Sequence, residues 1–170
     1  MQAGGAVLAT REFLRLIFFP PLPMENRDGG LVKILLVEDS RAIRLENERA
    51  LIKAGYEVMC AEDGQRALQL AGEREPDLIL LDLLLPKMSG LEVLEYLKSN
   101  PRTSQVPVVV LSALSEKNRE KLIMAGAEDY LEKNSLMAND ENLLPKVLED
   151  IICRINRKRG IMFASVPTSH

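Results

Sequence analysis

Three short apolar runs constrain this chain more than any other feature. They are Leu31-Val32-Lys33-Ile34-Leu35-Leu36-Val37, Leu78-Ile79-Leu80-Leu81 and Val106 to Leu111. Each is too short for a buried helix, rich in branched side chains, and apolar at nearly every position. Such runs are strands covered on both faces, the signature of a parallel sheet. Parallel strands need crossovers, and the intervening segments have helical patterns. One runs from about Arg41, with Ile43, Asn47, Ala50 and Ala54 on one face, and is closed by Gly55. Another follows Asp63, a plausible N-cap, and carries Ala67, Leu68 and Ala71; Pro76 ends the connection after it.

After Pro86 a third helix places Leu91, Leu94 and Leu97 on one side. Pro107 is tolerable at the beginning of its strand. Ser115 can cap a fourth helix that runs through Met124 and stops at Gly126. Tyr56 to Cys60 and Asp129 to Leu131 supply the second and fifth strands. The last helix is expected over Glu141 to Arg157, with Leu144, Val147, Leu148, Ile151, Ile152 and Ile155 as its stripe; Pro145 disturbs its first turn. Five strands alternating with five helices suit a doubly wound, flavodoxin-like α/β fold of strand order 2-1-3-4-5. In that fold ligands bind beyond the carboxyl ends of the strands, where the order reverses.

The expected organisation is an N-terminal extension over 1–30, a single domain over 31–157 and a short tail over 158–170. The run Phe13 to Phe19 is interrupted by Arg15, stopped by Pro20-Pro21, and too short to span a bilayer. It also lacks the features of a secretory signal. The segment before Met24 reads as a poorly ordered extension, and Met24 itself as an alternative start. A composition of 46% apolar and 28% charged residues is that of a globular domain. A net charge of −3 gives no pull toward nucleic acid or acidic membranes. Cys60 and Cys153 read as free thiols of a reducing, cytoplasmic compartment.

The chemistry lies at the strand ends. Strand one runs into Glu38-Asp39, strand three into Asp82 and strand four into Ser112, while Lys133 follows strand five. A single loop carboxylate is ordinary; five polar residues at successive strand ends are not. Two unit charges 4 Å apart repel by ~4 kcal/mol at an effective dielectric of about 20. Three clustered carboxylates therefore call for a cation or an altered protonation state. Hard oxygen ligands at one open site favour magnesium, which retains water and pairs with phosphate.

From Val32 to Ile155 the chain resembles bacterial two-component response-regulator receiver domains, of the stand-alone, chemotaxis-regulator kind. The resemblance rests on Leu36-Val37-Glu38-Asp39-Ser40, on Leu80 to Gly90, on Val109-Val110-Leu111-Ser112-Ala113 and on Gly126 to Lys133. It implies that Asp82 accepts a phosphoryl group from a sensor histidine kinase or phosphotransfer protein, with Mg2+ as cofactor. Asp39 and Asp82 would bind the metal directly, Glu38 mostly through water, and the backbone carbonyl of Leu84 would complete the protein ligands. Ser112 and Lys133 would each take a phosphoryl oxygen, and Tyr130 resembles the switch aromatic, a half-buried ring on an edge strand. The implied role is a signalling switch and not a classical enzyme, acting through the face of helix four, strand five and helix five.

Two departures stand out. Asn134 follows Lys133 where the family usually has proline after a cis peptide, and a trans bond is expected here. Ser112 replaces the more familiar threonine. A phosphatase of the haloacid-dehalogenase type is disfavoured, since Leu84 stands where its second carboxylate would be. The resemblance also admits a phosphorelay intermediate or a non-phosphorylated pseudo-receiver. No GxGxxG or Walker A pattern supports nucleotide binding. His170, the lone histidine, reads as tail, and Arg154, Arg157, Lys158 and Arg159 as complements of a helix dipole. The resemblance implies that Leu84 and Leu114 would flank the approach of a hydrolytic water, which neither side chain can hold. A long-lived acyl phosphate is therefore expected.

Overall fold

The computed structural model describes residues 30–113, 119–138 and 141–159. Five parallel strands form one sheet in the order β2-β1-β3-β4-β5: β1 Lys33–Val37, β2 Glu57–Ala61, β3 Leu78–Asp82, β4 Val108–Ser112 and β5 Asp129–Glu132. The helices are α1 Arg41–Lys53, α2 Gly64–Arg74, α3 Gly90–Ser99, α4 Arg119–Met124 and α5 Leu144–Lys158. Strand alternation sends Leu35, Val37, Ile79, Leu81, Val108 and Val110 into one core with residues of α2, α3 and α4. Ile34, Leu36, Leu78, Leu80, Val109 and Leu111 enter a second core with residues of α1 and α5. This is the doubly wound fold read from the three apolar runs.

Local chemistry sets several boundaries. The Asp63 side chain accepts the Arg66 N–H at 2.8 Å and starts α2 as expected. Ser89 and Glu92 form a reciprocal capping box that starts α3. The expected Ser115 cap and Leu114 lie outside the described residues, as do the N-terminal run and the tail beyond Arg159.

Three expectations need correction. In α1 the buried residues are Asn47 and Leu51, while Ile43, on the same side but in the helix's first turn, is 38% exposed. Glu141 is not helical: Met137–Ala138 and Glu141–Asn142 form a small antiparallel ladder, β6 and β7, and α5 begins at Leu144. Pro145 stands in the first turn, where its missing N–H costs nothing, and the Asn142 side chain accepts the Leu144 N–H at 3.0 Å. The basic end of α5 also does more than balance a dipole. Arg154 pairs with Asp129, and Lys158 with Glu128, fastening α5 to β5 and the turn before it.

Candidate functional site

Register brings the strand-end residues together. Val37 lies opposite Leu81 in adjacent parallel strands, so the next residue on each, Glu38 and Asp82, emerge side by side. Glu38 and Asp82 are almost fully buried, at 1% and 2% exposure, while Asp39 is exposed. One carboxylate oxygen from each of the three lies within 4.8 Å of the others. From the end of β5, Lys133 reaches across β4: its Nζ donates to Glu38 Oε2 at 2.6 Å and to Asp82 Oδ2 at 2.7 Å. The remaining oxygens meet backbone donors. Asp82 Oδ1 accepts the Leu84 N–H at 3.1 Å, and Glu38 Oε1 accepts the Ser40 N–H at 3.2 Å.

Lys133 supplies one cation for the cluster. Repulsion among the carboxylates calls for a cation or a shifted protonation, and an ammonium of the chain itself stands between two of them. Burial still pushes the Glu38 carboxyl above the ordinary carboxylate range, and Lys133 offsets only part of that rise. For Lys133, burial on its own pulls the pKa down; the hydrogen bonds to Asp82 and Glu38 outweigh it, and the net direction is up. Three convergent carboxylates, one of them solvent-facing, are a donor set suited to a hard divalent cation.

The "Response regulator receiver domain" family pattern matches residues 34–147. The chain belongs to the response-regulator receiver family. It is 38% identical over 125 residues to the response regulator MprA of Mycolicibacterium vanbaalenii, covering 73% of this chain and 48% of that protein. The chain thus spans about half the length of the curated relatives it matches. Among solved structures, it is similar to the chemotaxis response regulator CheY4 of Vibrio cholerae, with TM-score 0.63, 32% identity, and coverage of 71% of this chain and 98% of that one. It is also similar to the receiver domain of the sensor histidine kinase PA1611 of Pseudomonas aeruginosa, with TM-score 0.60, 31% identity, and coverage of 72% and 94%. That structure has a magnesium ion coordinated in its active-site cleft.

The remaining anticipated receiver residues fall around this cluster. Ser112 ends β4, fully buried, one residue beyond Leu111, which is the register partner of Asp82. Leu84 joins the site through its backbone N–H, and the residue is 56% exposed. Tyr130 lies opposite Val110 on the same sheet face as Ser112. Its ring is not half-buried, as an edge-strand position suggested, but 4% exposed within the core that includes Leu122 of α4 and Ala127. The Lys133–Asn134 peptide is trans, as expected without proline.

The roles of two residues near the site were not anticipated. Arg44 donates to the backbone oxygens of Glu38 at 2.6 Å and Asp39 at 3.2 Å, holding the acidic loop to α1. A cation in the first turn of a helix opposes the dipole, and that anomaly was the available signal. Gly90 donates its N–H to the Leu83 carbonyl at 3.0 Å, and a Cβ there would stand 2.2 Å from the Asp82 carbonyl oxygen. Only glycine lets α3 start this close to the end of β3.

Proposed function

We propose that this receiver accepts a phosphoryl group on Asp82, from a phosphohistidine of a sensor histidine kinase or phosphotransfer protein, and thereby switches a protein-interaction face. The observation that carries this reading is the placement of Asp82: a buried carboxylate at a strand end, between an ammonium and two further carboxylates. An Asp82 oxygen forms the new bond to phosphorus as the phosphorus–nitrogen bond of the donor breaks, and the departing imidazole keeps that electron pair.

Glu38, Asp39, Asp82 and the Leu84 carbonyl are the residues assigned to hold magnesium, with Glu38 acting mainly through water. Bound there, magnesium supplies neutralising charge for the transferring group. Lys133 must leave Glu38 to meet one phosphoryl oxygen, and Ser112 donates its hydroxyl to another. Drawing Ser112 toward the phosphoryl group opens space on the sheet face it shares with Tyr130. Because that ring is already buried, the switch expected is a repacking against α4 rather than a passage from solvent to core.

A phosphorelay step is the second reading. It is favoured by the similarity to a receiver that belongs to a sensor histidine kinase. A pseudo-receiver is disfavoured by the complete set of Asp82, Ser112, Lys133 and acidic residues. The test is labelling with acetyl phosphate and magnesium. Wild type should form an acid-stable, base-labile adduct; Asp82→Asn should not, and excess chelator should block it. Label retained in folded Asp82→Asn would overturn the acceptor assignment.

A further inference from the structure

The turn that carries Lys133 contains no proline, so no ring restricts its backbone, yet Lys133 Nζ must be placed to within a fraction of an ångström. Lys133 opens a 3-10 turn, Lys133–Leu136, whose far end is held in three ways. Leu136 is buried in the core on the α1 and α5 side of the sheet. Its carbonyl accepts the Leu143 N–H at 2.7 Å. The ladder that follows sets Met137 opposite Asn142.

Asn142 then ties this assembly to the rest of the molecule. Its Oδ1 accepts the Leu144 N–H at the start of α5, and its Nδ2 donates to Asn47 Oδ1 at 2.8 Å. Asn47 is one of only two buried residues of α1, the other being Leu51. An apolar residue would fill that space at lower desolvation cost, so a hydrogen-bonded amide there specifies a partner more than it adds stability. Three residues earlier on the same side of α1 stands Arg44, which holds the Glu38-Asp39 loop. One helix thus fastens both the acidic loop and the lysine turn.

We propose that Asn47 and Asn142 are a positioning pair for phosphotransfer: by joining the β6–β7 ladder to α1 they hold the Lys133 turn in register with Asp82. This rests on the phosphoacceptor reading. The pair touches no reacting atom; it acts through the backbone that presents Lys133.

The experiment uses the full chain, acetyl phosphate and magnesium, and reads three quantities: initial labelling rate, magnesium affinity, and urea unfolding midpoint. Asn47→Ala removes the cross-link but keeps the α5 cap. It should slow labelling by about tenfold while magnesium affinity stays within about twofold, since Asp39 and Asp82 are untouched. Asn142→Asp keeps the cap and can accept from the Asn47 amide after a flip, so it should label close to the wild-type rate. Should Asn47→Ala fail to fold, Asn47→Leu fills the space without the hydrogen bond and carries the same expectation.

A folded Asn47 variant labelled at the wild-type rate would overturn the proposal. So would rate and metal affinity falling together, or Asn142→Asp being as slow as Asn47→Ala. Wild type that takes no label removes the phosphoacceptor reading first and this one with it, a result distinct from labelled wild type with indifferent variants.

Discussion

Lys133 and Glu38 are 95 residues apart in the chain, and the ammonium of one lies 2.6 Å from the carboxylate of the other. The same ammonium holds Asp82. Lysine is therefore a counter-ion to two carboxylates. In the proposed phosphoryl transfer the same ammonium would turn to a phosphoryl oxygen.

Removing that counter-ion separates its two roles. Lys133→Ala leaves Glu38 and Asp82 buried without their cation, which should cost about 3 kcal/mol of stability in chelator. Magnesium should restore most of the loss, and metal affinity should not fall, because lysine is no metal ligand. The check is urea unfolding with and without magnesium, beside a direct metal titration. Metal affinity lost to the extent seen in Asp39→Ala would contradict this assignment.

Glu38 gives the site a pH dependence with a definite sign. Its folded pKa lies above the ordinary value of 4.5, so the native state binds the proton more tightly than the unfolded chain does. Its contribution to stability is therefore greatest when it is protonated, and declines as pH rises from 4.5 through the raised value. Glu38→Gln should remove this component. Unfolding of chelated protein should then show a flatter profile across mildly acid pH, and an unchanged profile would sink the prediction.

Two glycines predict opposite outcomes. Gly90→Ala drives a Cβ against backbone atoms of Asp82 and Leu83, which cannot yield as side chains do. It should cost about 3 kcal/mol and slow labelling, because the displaced atoms belong to the acceptor residue itself. Gly72→Ala, on α2 with nothing within 4 Å, should stabilise by about 0.5–1 kcal/mol. Equal effects at the two positions would refute the close-approach account of Gly90.

The lifetime of the acyl phosphate depends on what can hold a hydrolytic water near Asp82. Leu84 has no hydrogen-bonding group, and its exposed side chain contributes little to the core. Leu84→Asn should therefore leave stability within about 0.5 kcal/mol while speeding decay by roughly tenfold, about 1.4 kcal/mol of barrier. The measurement is loss of label after donor removal. Seconds-scale decay of the wild type, or no acceleration in the variant, would count against it.

Much of this receiver was determined by sequence alone. Three apolar runs dictate buried parallel strands, since a half-exposed strand would alternate. The polar residues closing these runs must then fall on one edge of the sheet, which assembled Glu38, Asp39, Asp82 and Ser112 as a set, and Lys133 joined them from the end of the fifth strand. Only tertiary structure decided how the set is wired. Periodicity reports the average surroundings of a residue, not the identity of its long-range partner. It could not show that Lys133 spans two carboxylates, that Asn47 is buried against Asn142, or that α4 closes over Tyr130. Gly90 makes the same point at shorter range. Its motif was visible as letters, but its necessity arises from the backbone of Asp82, which comes within reach only when α3 folds back against β3.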